Sequence, residues 1–248
     1  MSNDDGIWAP GLAALARAVV EVSGEVWVCA PDGERSAISH GLTMGSPIRA
    51  ALVELPGLSV DAWAVSGTPA DCVKLALDEL LPCRPDIVMA GVNRGPNLGT
   101  DIVYSGTVAA AAEGAFAGIP SIAVSTASYD PIEFANAATA GAMLAAFTVK
   151  HGIPRGVMLN VNVPDYWDGK AIEPTRMGVL QYSNIFDKRT DPRGRAYYWL
   201  CGDPVKPDLE AGLDTEAVSR GSVSVTPIRF ELTDESTLDA LRKWDICT

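Results

Sequence analysis

Residues 86–114 decide the fold, and they read DIVMAGVNRGPNLGTDIVYSGTVAAAAEG. The first five residues are nearly all apolar, which is typical of a strand buried on both faces of a sheet. The alanine-rich run from Ser105 to Ala117 predicts a helix with Ser105 or Thr107 at its N-terminal cap. A loop rich in glycine separates the two parts. We therefore predict a strand, a glycine-rich loop and a helix in this order.

The segments before and after this stretch repeat the alternation of strand and helix. Short apolar runs predict the strands, and apolar residues at helical spacing predict the helices. The further elements are strands at 25–30, 121–125 and 156–163 and helices at 12–22, 70–81 and 134–150. Strands that alternate with helices form βαβ units, so the sequence predicts an α/β fold with a parallel sheet and helices on both faces.

The second part of the chain has a different pattern. Alternating, aromatic runs occur at 196–200 and 222–227, and the turn sequence Asp191-Pro192-Arg193-Gly194 precedes the first of them. A final helix is predicted from about Ser236 to Trp244. We expect a core at 1–165, and at 166–248 an antiparallel β appendage with a C-terminal helix.

Composition excludes several classes of function. The formal net charge of −12 is unsuited to sequence-independent binding of nucleic acid, which requires basic surface. No apolar stretch approaches the roughly 20 residues that span a bilayer, so no membrane partner is expected. The acidic N-terminus is unlike a signal peptide, and the five cysteines are odd in number and scattered, which indicates a cytoplasmic protein.

The chain has only two histidines, His40 and His151. A zinc site built on histidine or a serine–histidine triad therefore has little material, and no G-x-S-x-G motif is present. Metal chemistry would depend on carboxylate, amide and hydroxyl oxygens. Such oxygens suit hard cations such as Mg²⁺ or Mn²⁺.

Three stretches offer such oxygens. Asp4-Asp5-Gly6 places two carboxylates beside a flexible glycine, Ser36 lies in a loop after the strand at 25–30, and Asn93 follows the strand at 86–90. In parallel sheets these loops meet at the edge where ligands bind. On its own, the acidic pair is more typical of a solvated terminus than of a metal site. The loop that contains Ser36 is equally consistent with an ordinary polar turn.

The glycine-rich loop also predicts a site for phosphate. It leads to a helix N-terminus, where backbone N–H groups and the helix dipole favour anions, and Ser105 and Thr107 add hydroxyl donors. It is neither a Walker motif nor a dinucleotide-binding fingerprint. The stretch SGTPADC at 66–72 is either a second phosphate-contacting loop or simply a capped helix start with an early proline.

In order and spacing, these motifs resemble those of the SurE family of nucleotidases. The matching stretches are SNDDG at 2–6, APG at 9–11, APD…RS at 30–36, SGTPADC at 66–72, GVNRGPNLGTDIVYSGTVAAAAEG at 91–114, NVNVP at 160–164 and DPRG at 191–194. The resemblance implies a Rossmann-like core and one divalent cation per subunit. It also implies hydrolysis of nucleoside monophosphates and a homodimer or homotetramer formed through the C-terminal region.

The resemblance also implies roles for particular residues. By position, the metal ligands are Asp4, Asp5, Ser36 and Asn93, and the phosphate pocket is lined by Asn97 and the turn Ser105-Gly106-Thr107. The family places a short apolar strand before SNDDG, whereas only Met1 precedes Ser2 here. A central strand reduced to a stub would leave neighbouring backbone groups unpaired, at roughly 1–3 kcal/mol for each buried group.

The resulting hypothesis is metal-assisted attack of water on phosphorus, with Asp4, Asp5 and Asn93 as the catalytic residues and Asp4 or Asp5 as the base. Asp101 is a weaker candidate for the base. Trp8 is expected to pack in the core, with contact to a nucleoside as the alternative. Two further interpretations stay open: a nucleotide-binding module without turnover, and a phosphatase that prefers short polyphosphate.

Overall fold

The computed structural model describes residues 1–130, 133–183, 185–205 and 209–244. In chain order, the helices are α1 (Pro10–Val20), α2 (Pro69–Leu75), α3 (Gly106–Phe116), α4 (Ala135–His151), α5 (Asp214–Ser219) and α6 (Glu235–Leu241). The strands are β1 (Trp27–Pro31), β2 (Ala50–Val53), β3 (Asp61–Val65), β4 (Val88–Asn93), β5 (Ser121–Thr126), β6 (Val157–Val163), β7 (Ile172–Pro174), β8 (Tyr182–Ser183), β9 (Phe186–Thr190), β10 (Ala196–Leu200), β11 (Asp203–Pro204) and β12 (Val223–Arg229).

Every element predicted from the sequence is present, with ends that differ by a few residues. The helix predicted at 70–81 is α2 followed by a π-helical turn at Ala76–Leu80. β2, β3 and α5 were not predicted from the sequence, and of the C-terminal strands only β10 and β12 were predicted individually. β2 is largely exposed, so it lacks the alternation of buried and exposed residues by which a strand is recognised.

The central sheet has five strands in the order β4-β5-β6-β12-β7. β4, β5 and β6 run parallel, β12 pairs with β6 in antiparallel orientation, and β7 runs parallel to β12. A second sheet has the order β1-β3-β2, with a parallel and an antiparallel pair. The mostly parallel α/β fold is therefore confirmed, and two strands from the second part of the chain complete its central sheet.

Helices cover both faces of the central sheet because successive strand residues point in opposite directions. Ile122 and Val124 of β5 pack with α1 and α4, and Ala123 between them packs with α3. α3 approaches the sheet closely at Gly114, where a Cβ would lie 2.6 Å from the Val88 Cβ. A layer of helices on each side of the sheet thus fixes the position of the α3 N-terminus.

The remaining C-terminal strands form small antiparallel pairs outside the central sheet. β9 and β10 make a hairpin whose turn is the predicted Asp191–Gly194 sequence, and β8 pairs with β11. The predicted terminal helix is α6, which begins after its cap Asp234 and buries none of its residues. Within the described residues, no helix is long and apolar enough to cross a membrane.

The two sheets are joined by the first two residues of the sequence. The Cys29 N–H donates to the Met1 carbonyl at 2.8 Å, the Ser2 N–H donates to Met89 at 3.0 Å, and the Gly91 N–H donates to Ser2 at 2.9 Å. Ser2 also forms a parallel bridge with Ala90. The short strand that the family places before SNDDG is therefore reduced here to Met1 and Ser2, a stub that pairs with β1 on one side and β4 on the other. It holds the next residues, Asn3 and Asp4, at the sheet edge.

A cavity of about 760 Å³ lies beside this stub. It is lined by Met1 and by mainly apolar side chains near the starts of β1 and β4, including Val26, Ile87 and Val88. The Met1 amino group donates to the Trp27 carbonyl at 2.6 Å, and burial lowers its pKa to about 6. The cavity thus lies in line with the stub, on the side opposite to the acidic pair.

We predict that four apolar residues added before Met1 will extend the stub into this cavity as a strand. Burial of their side chains should raise the free energy of unfolding by about 2 kcal/mol and Tm by roughly 4–8 °C. Thermal unfolding of the two chains checks this, with an extension of four glycine and serine residues as the control. A gain of equal size from both extensions would contradict strand pairing in the cavity.

Candidate active site

The acidic pair leaves the stub at the carboxyl edge of the parallel strands. Asp4 is 5% exposed and therefore lies inside the protein, so the solvated-terminus interpretation is wrong for this residue. Gly6 has φ +98°, and a Cβ at this position would lie 3.0 Å from the Gly33 carbonyl carbon. The turn after the pair thus requires glycine and brings the pair against the loop that follows β1.

The N-terminus of α3 holds Asp4. The Thr107 hydroxyl donates to the Asp4 Oδ1 atom at 2.5 Å. A Cβ on Gly106 would lie 2.8 Å from the Asp4 Cβ, so a larger residue there would displace Asp4. Burial raises the pKa of Asp4, and the Thr107 hydroxyl together with backbone N–H groups opposes this rise. Gly106 and Thr107, which were predicted to line a phosphate pocket, therefore lie against the Asp4 side chain.

Asp5 is more accessible than Asp4 and faces the glycine-rich loop. Its Oδ2 atom accepts a hydrogen bond from the Arg94 N–H at 3.2 Å. Burial, followed by the negative charge of Asp4, raises the pKa of Asp5 to about 6, and Glu34 adds to the rise. The ionised forms of both neighbouring carboxylates are therefore disfavoured in the metal-free protein. A cation bound between them would stabilise these ionised forms.

Asn93 lies at the end of β4, after an irregularity in the pairing of this strand. The register against β5 shifts between Ala90 and Asn93, and a Cβ on Gly91 would lie 2.2 Å from the Val124 carbonyl oxygen. The Asn93 amide nitrogen donates to the Gly95 carbonyl at 2.8 Å, so its Oδ1 atom is the one suited to a cation. Asn93 directly precedes Arg94, which binds Asp5.

Ser36 lies in the exposed loop after β1. Its hydroxyl donates to the Glu34 carboxylate at 2.7 Å, and the N–H of neighbouring Arg35 donates to the Asp4 carbonyl at 2.7 Å. The loop is therefore attached to the acidic pair, while the Ser36 hydroxyl is directed to Glu34. Glu34 was not among the predicted site residues, although its position two residues before Ser36 was the sequence signal for it.

Asn97 is buried in a network of amides beneath the glycine-rich loop. Its side chain donates to the Ser125 hydroxyl at 2.8 Å, and its backbone N–H donates to the Asn162 Oδ1 atom at 2.7 Å. The amides of Asn160 and Asn162 both donate to the Asn97 carbonyl. These contacts hold the loop on β5 and β6. Asparagines at alternate positions of an otherwise apolar strand were the sequence signal for this network.

The two remaining predicted features are helix starts. Ser105 caps α3 by accepting a hydrogen bond from the Val108 N–H at 3.1 Å. In the stretch at 66–72, Thr68 and Asp71 form a reciprocal capping box with Pro69 at the first helical position. The interpretation of this stretch as a capped helix start is confirmed. Pro69 also borders the site, since a Cβ on Gly106 would lie 3.1 Å from its Cγ.

The oxygens at this site suit a hard divalent cation. Asp4 and Asp5 offer carboxylates and Asn93 an amide oxygen, which are the ligand types that Mg²⁺ and Mn²⁺ prefer. In the described part of the chain, no group of three or more His, Cys, Asp and Glu side chains is arranged for a metal. Both histidines are engaged elsewhere, His40 with Glu113 and His151 with Phe147.

Comparison with known proteins shows the family of this chain. The family described as "Survival protein SurE" matches residues 1–184. The "5'-nucleotidase SurE" of Heliobacterium modesticaldum is 48% identical, over 98% of this chain and 90% of its own length. The protein of the same name from Pelotomaculum thermopropionicum is 50% identical, over 98% and 93%.

A solved structure is also similar over nearly the whole chain. The crystal structure of the SurE protein from Aquifex aeolicus matches with a TM-score of 0.84 and 38% identity, and covers 97% of this chain and 96% of its own. The strand–loop–helix unit at 86–114, in which the most specific motif occurs, lies inside the matched family region. The chain belongs to the SurE family.

Proposed function

We propose that this protein is a 5′-nucleotidase that hydrolyses nucleoside monophosphates to nucleoside and phosphate. The single observation that carries the proposal is the acidic pair beside the glycine-rich loop, in which Asp4 is buried and fixed by Thr107 and the pKa of the partly exposed Asp5 is raised to about 6. The names of the relatives, which are 5′-nucleotidases at 48% and 50% identity, support the same activity.

The cofactor in this proposal is one divalent cation per subunit, Mg²⁺ or Mn²⁺. Asp4, Asp5 and Asn93 would hold it, and Ser36 would join them if its hydroxyl turned from Glu34 towards the acidic pair. A cation bound there supplies positive charge beside the phosphate and makes water more acidic. The charge repulsion between the two aspartates supports this assignment, since a cation would relieve it.

The side chains at the site have separate roles in the proposed reaction. Asp4 is occupied by Thr107, whereas Asp5 is more accessible, so Asp5 is the proposed acceptor of the proton of the attacking water. The water oxygen forms a bond to phosphorus, the bond from phosphorus to the ester oxygen breaks, and the leaving nucleoside oxygen takes up a proton. We also propose that the phosphate pocket is shaped by four residues that hold either Asp4 or the glycine-rich loop in place: Ser105, Gly106, Thr107 and Asn97.

We predict that the protein releases phosphate from nucleoside monophosphates with Mg²⁺ or Mn²⁺ and loses this activity in a chelator. Colorimetric measurement of phosphate, with short-chain polyphosphate as a parallel substrate, distinguishes the open alternatives. Binding of nucleotide without release would identify a binding module. Faster release from polyphosphate would identify the other phosphatase activity.

We predict that Asp5→Asn reduces metal-dependent turnover by at least about 10³-fold, because it removes both a cation ligand and the proposed base. Asp61→Asn, an exposed aspartate at the amino end of β3, is the matched control and should keep full activity. Steady-state rates at saturating metal check the difference. Undiminished turnover by Asp5→Asn would refute the assignment of this carboxylate.

The same substitution should stabilise the metal-free protein. The pKa of Asp5 is higher in the folded state, so its protonation stabilises the fold at low pH, and this contribution is lost as the pH rises from about 4 to about 6. At pH 7 in chelator, Asp5→Asn should therefore be more stable by about 1 kcal/mol, after allowance for solvent screening. Urea unfolding checks the difference, which should vanish near pH 4.

We also propose that residues 1–165 form the catalytic core and that the appendage within 166–248 joins subunits into a dimer or tetramer; residues 245–248 lie outside the described part. The hairpin β9–β10 supports this role because its apolar side chains face solvent. Phe186 and Leu200 are paired across the hairpin and are 64% and 72% exposed. Covering such a patch is a common reason for subunit association.

We predict that Phe186→Asp dissociates the oligomer, since a charge within a buried contact is costly without a partner. Light scattering after size-exclusion chromatography measures the mass. Tyr166→Asp, which places the same charge on an exposed aromatic outside the hairpin, is the control and should leave the mass unchanged. A wild-type monomer, or an unchanged mass of Phe186→Asp, would contradict assembly through the hairpin.

A further inference from the structure

An exposed aromatic ring lies on the glycine-rich loop. Tyr129 belongs to the connection between β5 and α4, and its side chain is 67% exposed. A Cβ on Gly95 would lie 2.8 Å from the Tyr129 Cε1 atom, so the ring is in direct contact with this glycine. Gly95 has φ +106°, which favours glycine independently of the contact. The ring therefore has support from the loop and remains open to solvent.

This ring is close to the proposed cation ligand. The carbonyl of Gly95 accepts the hydrogen bond from the Asn93 side chain at 2.8 Å, so one residue connects the ring to Asn93. A phosphate held at Asp5 and Asn93 would carry its ester group away from the buried α3 N-terminus, because Asp4 and Thr107 occupy that side. The ring of Tyr129 is exposed to solvent and rests on the same loop as Asn93.

One carboxylate, that of Asp101, lies near the ring. Asp101 accepts a hydrogen bond from the Tyr182 hydroxyl, and partial burial together with the negative charge of Asp101 raises the pKa of Tyr129. This negative charge disfavours a second phosphate group, but it can accept a hydrogen bond from a neutral group with N–H donors. A nucleobase has such donors and also a flat face, whereas a polyphosphate chain has neither.

We propose that the Tyr129 ring is the platform on which the base of the nucleotide stacks. The inference rests on the proposed nucleotidase activity and adds the residue that recognises the nucleoside. Stacking tolerates every base because each has an aromatic face. The side chain acts by contact with substrate, so it should set KM and leave kcat nearly unchanged.

The test compares two substrates that differ only in the base, a nucleoside 5′-monophosphate and ribose 5-phosphate. In the metal-loaded protein, Tyr129→Ala should raise KM about tenfold for the nucleotide, which corresponds to the loss of one stacked base, and leave KM for ribose 5-phosphate unchanged. Tyr129→Phe keeps the ring and should behave as the wild type does. Tm measurements establish that the variants fold.

A matched control is Phe147→Ala, which removes an exposed aromatic ring stacked on His151 near the end of α4. It should leave both KM values unchanged. Equal increases for the two substrates in Tyr129→Ala would overturn the proposal, and so would a base-dependent loss in Trp8→Ala with none in Tyr129→Ala. If the wild type hydrolyses neither substrate, the proposed nucleotidase function itself fails, which is a separate result.

Discussion

The hydrogen bond from the Thr107 hydroxyl to the buried carboxylate of Asp4 is the contact on which the site depends. It joins the start of the chain to the start of α3, across 103 positions of sequence. The stub formed by Met1 and Ser2 brings Asp4 to this point by pairing with β1 and β4. Gly106 leaves the space that the Asp4 side chain occupies. Each of these features is required because a buried carboxylate without partners would be strongly unfavourable.

The ionised carboxylate of Asp5 lowers the stability of the metal-free fold, although the proposed reaction depends on it. It lies beside Asp4 and near Glu34, so its ionised form is disfavoured in the metal-free protein. Such strain is common at functional sites, where a ligand later relieves it. Burial of one aspartate and partial exposure of the next give the pair two different roles, one as a fixed ligand and one as a group that water can reach. This difference is what makes Asp5 the better candidate for proton transfer.

The glycine-rich loop is held by residues that no sequence motif for phosphate binding includes. Asn97 is fixed by Asn160 and Asn162 of β6. The buried carboxylate of Asp214 accepts hydrogen bonds from the N–H groups of both Gly99 and Gly178. The second part of the chain therefore contributes directly to the position of the loop, as well as completing the central sheet through β7 and β12.

The sequence by itself determined the α/β class and the positions of most core helices and strands, because periodicity is a local property. It also predicted Asp4, Asp5 and Asn93 as one set of metal ligands, from loops at strand ends and from the family resemblance. Only the tertiary structure decided the hydrogen-bond partners of these side chains and which of them are buried. Asn97 was predicted at the phosphate, but its side chain donates to a serine in the interior. Trp8 was expected in the core, and that prediction is wrong, since it is 58% exposed. These outcomes depend on contacts between residues far apart in the chain, which local patterns do not encode.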